Sequence, residues 1–273
     1  MSELPFILDP DTGEKRIFGN IPAPLRYSWP VFGDVPNTKL IPRDRWASLV
    51  PDDEGPGHPL LSDPHDQDGV GMCNCSATAG AIEDARLRQG LPMVRLSGGD
   101  LYKRICFNGR DSGSTLEDGI RAAMSEGIAS VDVVPYMDWR NSHAGAEESR
   151  KKYRVLEAFL CPTFDHCFSA SIQGFDLISG VWWYNSGFDP DSGGWMPSSG
   201  GGGRGGHAVR GYKPARRGQK YGIWHRNSWT ARWGLGGDAV FPEAWYVQGG
   251  IGGWWAVRSV VDEGGDVPAP KVS

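Results

Sequence analysis

The apolar positions of this chain change period once. Between residues 73 and 127 they recur at helical spacing, and from about residue 168 they gather into short aromatic and β-branched runs. Ala77, Ala81, Ile82 and Ala85 repeat every three or four residues behind Cys73, which predicts a helix built mostly of small side chains. Gly90 and Pro92 stop it. A shorter helical pattern runs through Leu101 and Ile105, and Ser114-Thr115-Leu116-Glu117 reads as a capping box. The helix it opens carries Ile120, Ala123 and Met124 on one face and is closed by Gly127. Ile128 to Tyr136, β-branched and broken by Pro135, reads as extended. A further helix is expected from Ala146 to Leu160, supported by Glu147–Lys151 and Glu148–Lys152 pairs. Strands are expected at 168–172, 181–184, 208–212, 221–225 and 254–261. Helices in one block and strands in another indicate an α+β protein with two lobes.

Residues 1–45 hold Pro5, Pro10, Pro22, Pro24, Pro30, Pro36 and Pro42 with little periodicity. They read as an extended proline-rich arm wrapped on the domain, anchored by Trp29 and Phe32. Residues 46–66, with Pro51, Pro56, Pro59 and Pro64, read as loop. The expected organisation is this arm, one domain over 46–261 and a frayed tail over 262–273. Within the domain a helical lobe covers about 66–130 and a β lobe about 131–261. Ser198 to Gly206 is a glycine-rich loop leading into His207, readable as a hairpin tip or as a flap beside a site.

Composition narrows the function classes. The chain has 273 residues, 39% of them hydrophobic and 22% charged, enough for a sizeable core. The net charge of −5 gives no electrostatic case for nucleic acid or an anionic membrane as partner. No run is long enough to span a bilayer, and Met-Ser-Glu-Leu-Pro-Phe lacks the basic and apolar regions of a signal peptide. The expected place is the cytoplasm, with a virion as the other setting. Five cysteines, at 73, 75, 106, 161 and 167, form no disulfide framework. Neither Cys73-x-Cys75 nor Cys161-x5-Cys167 beside His166 has the spacing of a zinc knuckle, so no metal and no cofactor are expected. His58, His65, His143, His166 and His225 are read as structural.

Cys73 stands where a glycine-punctuated loop becomes helix. Unpaired N–H groups and the positive end of the helix dipole favour a thiolate there. A thiolate nucleophile needs a base, and the base needs an orienting partner. His207 opens the strand His-Ala-Val-Arg-Gly-Tyr, and Asn227 ends another in Asn-Ser-Trp. The Asn227 amide oxygen could accept from one imidazole nitrogen and leave the other to face sulfur, under a lid of Trp229 and Trp233. Both residues lie near the separation of about 130–150 residues expected for a Cys…His…Asn order. Gln67 could direct its amide, with the Cys73 N–H, at a developing oxyanion.

In this order and spacing, Gln67-x5-Cys73, Leu96-Ser97, Gly113 to Ile128, His207-Ala208-Val209 and Asn227-Ser228-Trp229-x3-Trp233-Gly234 resemble the papain and cathepsin family of cysteine peptidases. The likeness runs from about Gln67 to Val240 and leans toward bacterial and phage members. It implies a papain-like two-lobe fold, with a helical lobe, an antiparallel β-barrel-like lobe and the cleft between them. It implies a cysteine-type peptidase acting on a peptide or protein substrate through a thioester acyl-enzyme. By this resemblance Cys73 is the nucleophile, His207 the base, Asn227 its orienting group, Trp229 the shield and Gln67 an oxyanion donor. Gly113, Ser114 and Ala208 match positions that line the substrate cleft.

Four departures accompany the resemblance. Asn74 replaces a usual tryptophan and Ser114 a usual glycine. Val70 and Asp111 stand where secreted members pair two cysteines, in keeping with a reducing compartment. The segment before residue 67 is too short and proline-rich for a long helical pro-segment, so activity would be restrained some other way or not at all. These features motivate a second expectation, a catalytically silent papain-fold binding or structural protein, for example of a phage particle. A cell-wall peptide amidase is a third, against which Gln67 and Asn-Ser-Trp speak.

Overall fold

Small side chains on one long helix set how the rest of the chain packs. A computed structural model describes residues 4–52, 55–57, 61–184, 189–198, 204–247, 253–258 and 260–261. His58, residues 199–203 of the glycine-rich loop and the expected tail over 262–273 lie outside them. In chain order the elements are β1 (Phe6–Leu8), β2 (Lys15–Ile17), α1 (Arg43–Leu49), α2 (Cys73–Arg88), α3 (Gly98–Ile105), α4 (Leu116–Ser125) and α5 (Ala146–Lys151). There follow β3 (Arg154–Val155), β4 (Ala158–Leu160), α6 (Phe164–Ile172), β5 (Asp176–Tyr184), β6 (Arg204–Arg217) and β7 (Lys220–Arg226). The last are β8 (Asp238–Pro242), α7 (Glu243–Val247), β9 (Trp254–Val257) and β10 (Val260–Val261).

Helix and antiparallel sheet are mixed, as expected. Six strands form one sheet in the order β4-β9-β5-β6-β7-β8, every pair antiparallel. The sheet is open; its outer strands do not join into a barrel. Helix α2 is buried from Cys73 to Arg86 and packs on β5 and β6 on one side and on α3 and α4 on the other. Gly80 marks the closest approach to the sheet. A Cβ there would lie 2.2 Å from Arg210 Nη1, and that guanidinium cannot swing away. It donates to Ser62 Oγ at 2.7 Å and pairs with the buried Asp84 carboxylate at 3.3 Å. Around the far side of the sheet, Trp183, Trp229, Trp233, Phe241 and Trp245 form an aromatic core.

Several expected elements differ. Residues 168–172 are not a strand but the end of α6, because Phe164, Cys167 and Phe168 enter the core at helical spacing. The helix expected over 146–160 ends at Lys151. Lys151 pairs with Glu148 and Glu147, but ion pairs this exposed to solvent add little to helix stability. Beyond them, strand pairing to β9 and β10 buries Val155, Ala158 and Phe159, and that burial outweighs the helical pattern. The cap of α4 is shifted by one residue: Thr115, not Ser114, accepts from the Asp118 N–H at 3.1 Å. Glu117 serves the arm instead, accepting from Arg26 N, Tyr27 N and Trp29 Nε1. Ile128 to Tyr136 is irregular, with only Ser130 bridging to Leu96. Trp29 and Phe32 are buried anchors of the arm, which also contains the β1–β2 hairpin. Helix α1 falls across the expected start of the domain.

Because the Arg210 side chain fills the space above residue 80, Gly80→Ala should destabilise the fold by about 1–3 kcal/mol. Urea unfolding of the two proteins would read this, and an unchanged midpoint would show that Arg210 can be displaced freely.

Candidate active site

Cys73 is the first residue of α2, and its side chain is completely buried. The main chain of Ala208, Gly19, Asn74 and Asn20 lies around its sulfur and favours the charged form. Loss of water nevertheless wins over these dipoles, and burial pushes the thiol up to about 11. The thiolate expected from the helix terminus is therefore not the resting species in this conformation.

His207 is equally buried and lies on β6, next to Ala208. Its Nε2 is 2.7 Å from Asn227 Oδ1. The Ser228 N–H reaches the same oxygen at 2.8 Å. A backbone N–H can only donate, so the atom between them is the amide oxygen and His207 Nε2 carries the proton. Nδ1 is then a bare acceptor, with no hydrogen-bond partner among the described residues. Burial lowers this imidazole to about 4, so it rests neutral. Trp229 lies across the ring with centroids 4.8 Å apart at 30°, and Trp183 meets it edge-on at 5.3 Å.

Gln67 joins this group from the loop before α2. Its Oε1 accepts from Ser228 Oγ at 2.6 Å, and its Nε2 donates to Val70 O at 2.8 Å and Ile17 O at 2.9 Å. Both amide hydrogens are engaged, one of them by the arm. Sequence reasoning missed this role of the arm. Gly19 O accepts from Ser114 N and Ile21 N donates to Ser114 O, both at 2.9 Å, while Asn20 N donates to Gly206 O at 2.9 Å. Residues 19–21 are thus hydrogen-bonded to both walls of the groove beside Cys73. Phe18 sits with its ring 5.8 Å from that of His207 and 6.3 Å from that of Trp229.

Three glycines make the fit. A Cβ on Gly19 would lie 1.9 Å from Gly71 O, one on Gly113 would meet Gly19 O at 2.4 Å, and one on Gly205 would enter the Phe18 ring at 2.3 Å. Gly19 inside Phe-Gly-Asn was the available sequence signal. Two of the departures noted above touch each other: Asn74 Nδ2 donates to Ser114 Oγ at 3.2 Å. Asp111 accepts from Gly71 N at 2.9 Å and Tyr102 OH at 2.7 Å, a polar tie at one of the two positions where secreted relatives carry cysteines.

The remaining histidines described have structural partners. His143 meets Asp138, His166 meets Thr163, and buried His225 meets Ile223 O, Ser179 and Tyr246. Among the described residues no group of three or more side chains could hold a metal ion, and no helix is long and apolar enough to cross a membrane.

Comparison with solved structures defines the class of fold. Xylellain, a cysteine protease from Xylella fastidiosa, superposes with a TM-score of 0.71 at 19% identity, over 89% of this chain and 96% of that one. A procathepsin B from Trypanosoma congolense does so with a TM-score of 0.63 at 17% identity, over 88% and 86%. The proform of the ragweed pollen cysteine protease Amb a 11 gives 0.58 at 18% identity, over 72% and 62%. The chain therefore has the papain-like fold of the cysteine proteases. No family model matches the sequence, and no curated protein sequence does.

A methyl group on residue 19 cannot share space with the Gly71 carbonyl. Gly19→Ala should unseat the arm and speed alkylation of Cys73 by iodoacetamide at least ~10-fold, a shift worth about 1.4 kcal/mol. Mass spectrometry of the labelled peptide reads the rate; equal rates in the two proteins would mean that the arm does not guard the sulfur.

Proposed function

We propose that the chain is a cysteine-type peptidase that rests with its own arm in the substrate groove. The observation that carries this reading is the 2.7 Å bond from His207 Nε2 to Asn227 Oδ1, with the backbone of Ala208, the next residue on the same strand, close to the Cys73 sulfur. That bond holds the imidazole in the tautomer with Nδ1 free to take a proton. With the arm displaced, Cys73 gives its proton to His207 Nδ1 and attacks the scissile carbonyl. The imidazolium then protonates the leaving amine, and water, activated by the same ring, hydrolyses the thioester. Trp229 keeps solvent off the His207–Asn227 bond. Gln67 Nε2 and the Cys73 N–H receive the developing oxyanion once Ile17 O has left.

Substrate is a peptide or protein held in extended form by Gly113 and Ser114 on one wall and by Gly206 and Ala208, on either side of His207, on the other. The pairing of arm residues 19–21 with Ser114 and Gly206 supports that reading.

A second reading, a silent papain-fold binding protein, draws on the complete burial of Cys73 and His207. Full-chain Gly19→Ala protein, offered a mixed peptide library, separates the two. Cleavage that disappears in the Cys73→Ala double variant supports the peptidase, and no cleavage despite rapid alkylation of Cys73 supports the silent protein. Asn227→Ala in the Gly19→Ala background should lower kcat/KM by roughly 10²-fold while Cys73 remains alkylable.

Acid should loosen the arm. Seated, it keeps His207 neutral down to about pH 4, against an ordinary imidazole value of 6.5. The open form binds more protons between those values, so closure weakens as pH falls through that window, by up to ~10²-fold. A red shift of tryptophan emission between pH 7 and pH 4.5, reversed on return to pH 7, would report it. Constant emission would mean that His207 stays buried.

A further inference from the structure

Next to Asn227, the partner of His207, a cavity of about 10 Å³, the space of a single water molecule, is lined by His65, Ser76, Ala208, Asn227 and Ser228. Two of these side chains bring unsatisfied atoms to it. Asn227 Nδ2 and His65 Nδ1 are both buried without a hydrogen-bond partner among the described residues, in side chains at least nine-tenths buried. The other polar groups around the cavity are paired. Arg226 binds Asp238 and Ser62 O, Arg210 binds Ser62 and Asp84, Ser76 binds Met72 O and Tyr136 OH, and Ser228 binds Gln67.

The two orphan atoms are of opposite kind. Asn227 turns Oδ1 to His207 and Ser228 N, so Nδ2 must donate on its other side. His65 Nε2 lies 3.1 Å from Glu83 Oε2. That carboxylate also accepts from Leu96 N at 2.8 Å and Arg95 Nη1 at 3.2 Å; burial opposes its charge, but His65, Arg95 and Arg210 hold it down to about 2. An ionised carboxylate only accepts, so His65 Nε2 carries its proton, and burial disfavours a second one, which leaves Nδ1 a lone pair. A buried donor and a buried acceptor, each costly if left bare, thus flank a space the size of the molecule that serves both.

We propose that a single internal water, accepting from Asn227 Nδ2 and donating to His65 Nδ1, makes His65 a positioning residue for the catalytic pair. Glu83 sets the tautomer of His65, His65 and the water hold the Asn227 amide against flipping, and Asn227 sets the tautomer of His207. A flipped amide would present Nδ2 to His207 and oppose a donor to the Ser228 N–H, so the wrong orientation carries two mismatches. His65 does not touch substrate. The strand-like contact of residues 65–67 with 228–230, through Thr230 N to His65 O at 3.2 Å and Gln67 N to Ser228 O at 3.0 Å, keeps it in register with Asn227.

The inference rests on the His207–Asn227 pair of the proposed peptidase, and its test reads that pair directly, whether or not peptide is cut. In full-length protein labelled with ¹⁵N-histidine, long-range ¹H–¹⁵N spectra should show both His65 and His207 protonated at Nε2. His65→Leu removes the acceptor while Glu83 keeps Arg95 and Leu96. It should shift the His207 tautomer ratio about tenfold toward Nδ1–H and speed exchange of the Asn227 side-chain amide about tenfold. His65→Asn, which retains an acceptor near the Nδ1 position, should restore both signals to within about twofold. In the Gly19→Ala background the Leu variant should lose kcat with KM unchanged, and the Asn variant should recover it. The idea fails if His65 is protonated at Nδ1, or if His65→Leu leaves the His207 and Asn227 signals unaltered. Should the Leu variant not fold, a high-resolution crystal structure of the wild type decides: an ordered water within hydrogen-bond reach of both atoms supports the relay, and a dry cavity overturns it. Loss of peptidase activity with intact tautomers would count against the proposed function and not against this relay.

Discussion

The seating of α2 on β6 is the constraint on which the rest depends. Small residues on this helix, Ala77, Gly80 and Ala81, let the strand come close, and Arg210 closes the seam by lying over Gly80 onto Asp84. A buried ion pair of this kind adds little net stability, because desolvation offsets most of its Coulomb attraction. Its use here is register. In the register where Arg210 meets Asp84, the backbone of Ala208, which follows His207, lies close to the sulfur of Cys73. The polar groups that cross the seam, Ser62, Ser228 and Gln67, are each hydrogen-bonded to the facing element, so sliding would leave several buried atoms bare at once.

The same burial that organises the site also silences it. In water, a thiol at a helix terminus beside an imidazole would tend toward an ion pair. Burial beneath Phe18, Gly19 and Asn20 disfavours both charges, which raises the thiol and lowers the imidazole. The arm fills the groove with backbone rather than side chains. Glycine at 19, 113 and 205 allows main chain and one aromatic ring to lie against main chain, and hydrogen bonds to both walls replace those that water would make. In the proposed peptidase, chemistry and restraint would draw on one set of groups: the donors that hold Ile17 O and Gly19 O are those assigned to an extended peptide.

How much of this was legible in the chain itself follows from the range of each signal. Helix α2 was readable because small residues at a helical period carry their own instruction, and α4 was readable for a similar reason. Cys73, His207, Asn227 and Gln67 were singled out as a set by spaced motifs in one order, and hydrogen bonds link His207 to Asn227, Asn227 to Ser228 and Ser228 to Gln67. The end of α5 and the identity of α6 were not readable. Residues 154–160 take strand form only because β9 and β10 offer partners a hundred residues downstream, and Phe164 and Phe168 are aromatic in a way that suits strand or helix equally.

What the sequence determined by itself is local: a thiol at the start of a small-residue helix, an imidazole opening a strand, an amide before a pair of tryptophans. What only the tertiary structure decided is which groups share space and which are deprived of water. It alone put Phe18 on the His207 side of the groove, turned the expected thiolate into a thiol, and set His65 across a water-sized cavity from Asn227. The physical reason is that protonation and hydrogen-bond partnership depend on solvent exclusion by residues far apart in the chain, and no local pattern records that exclusion.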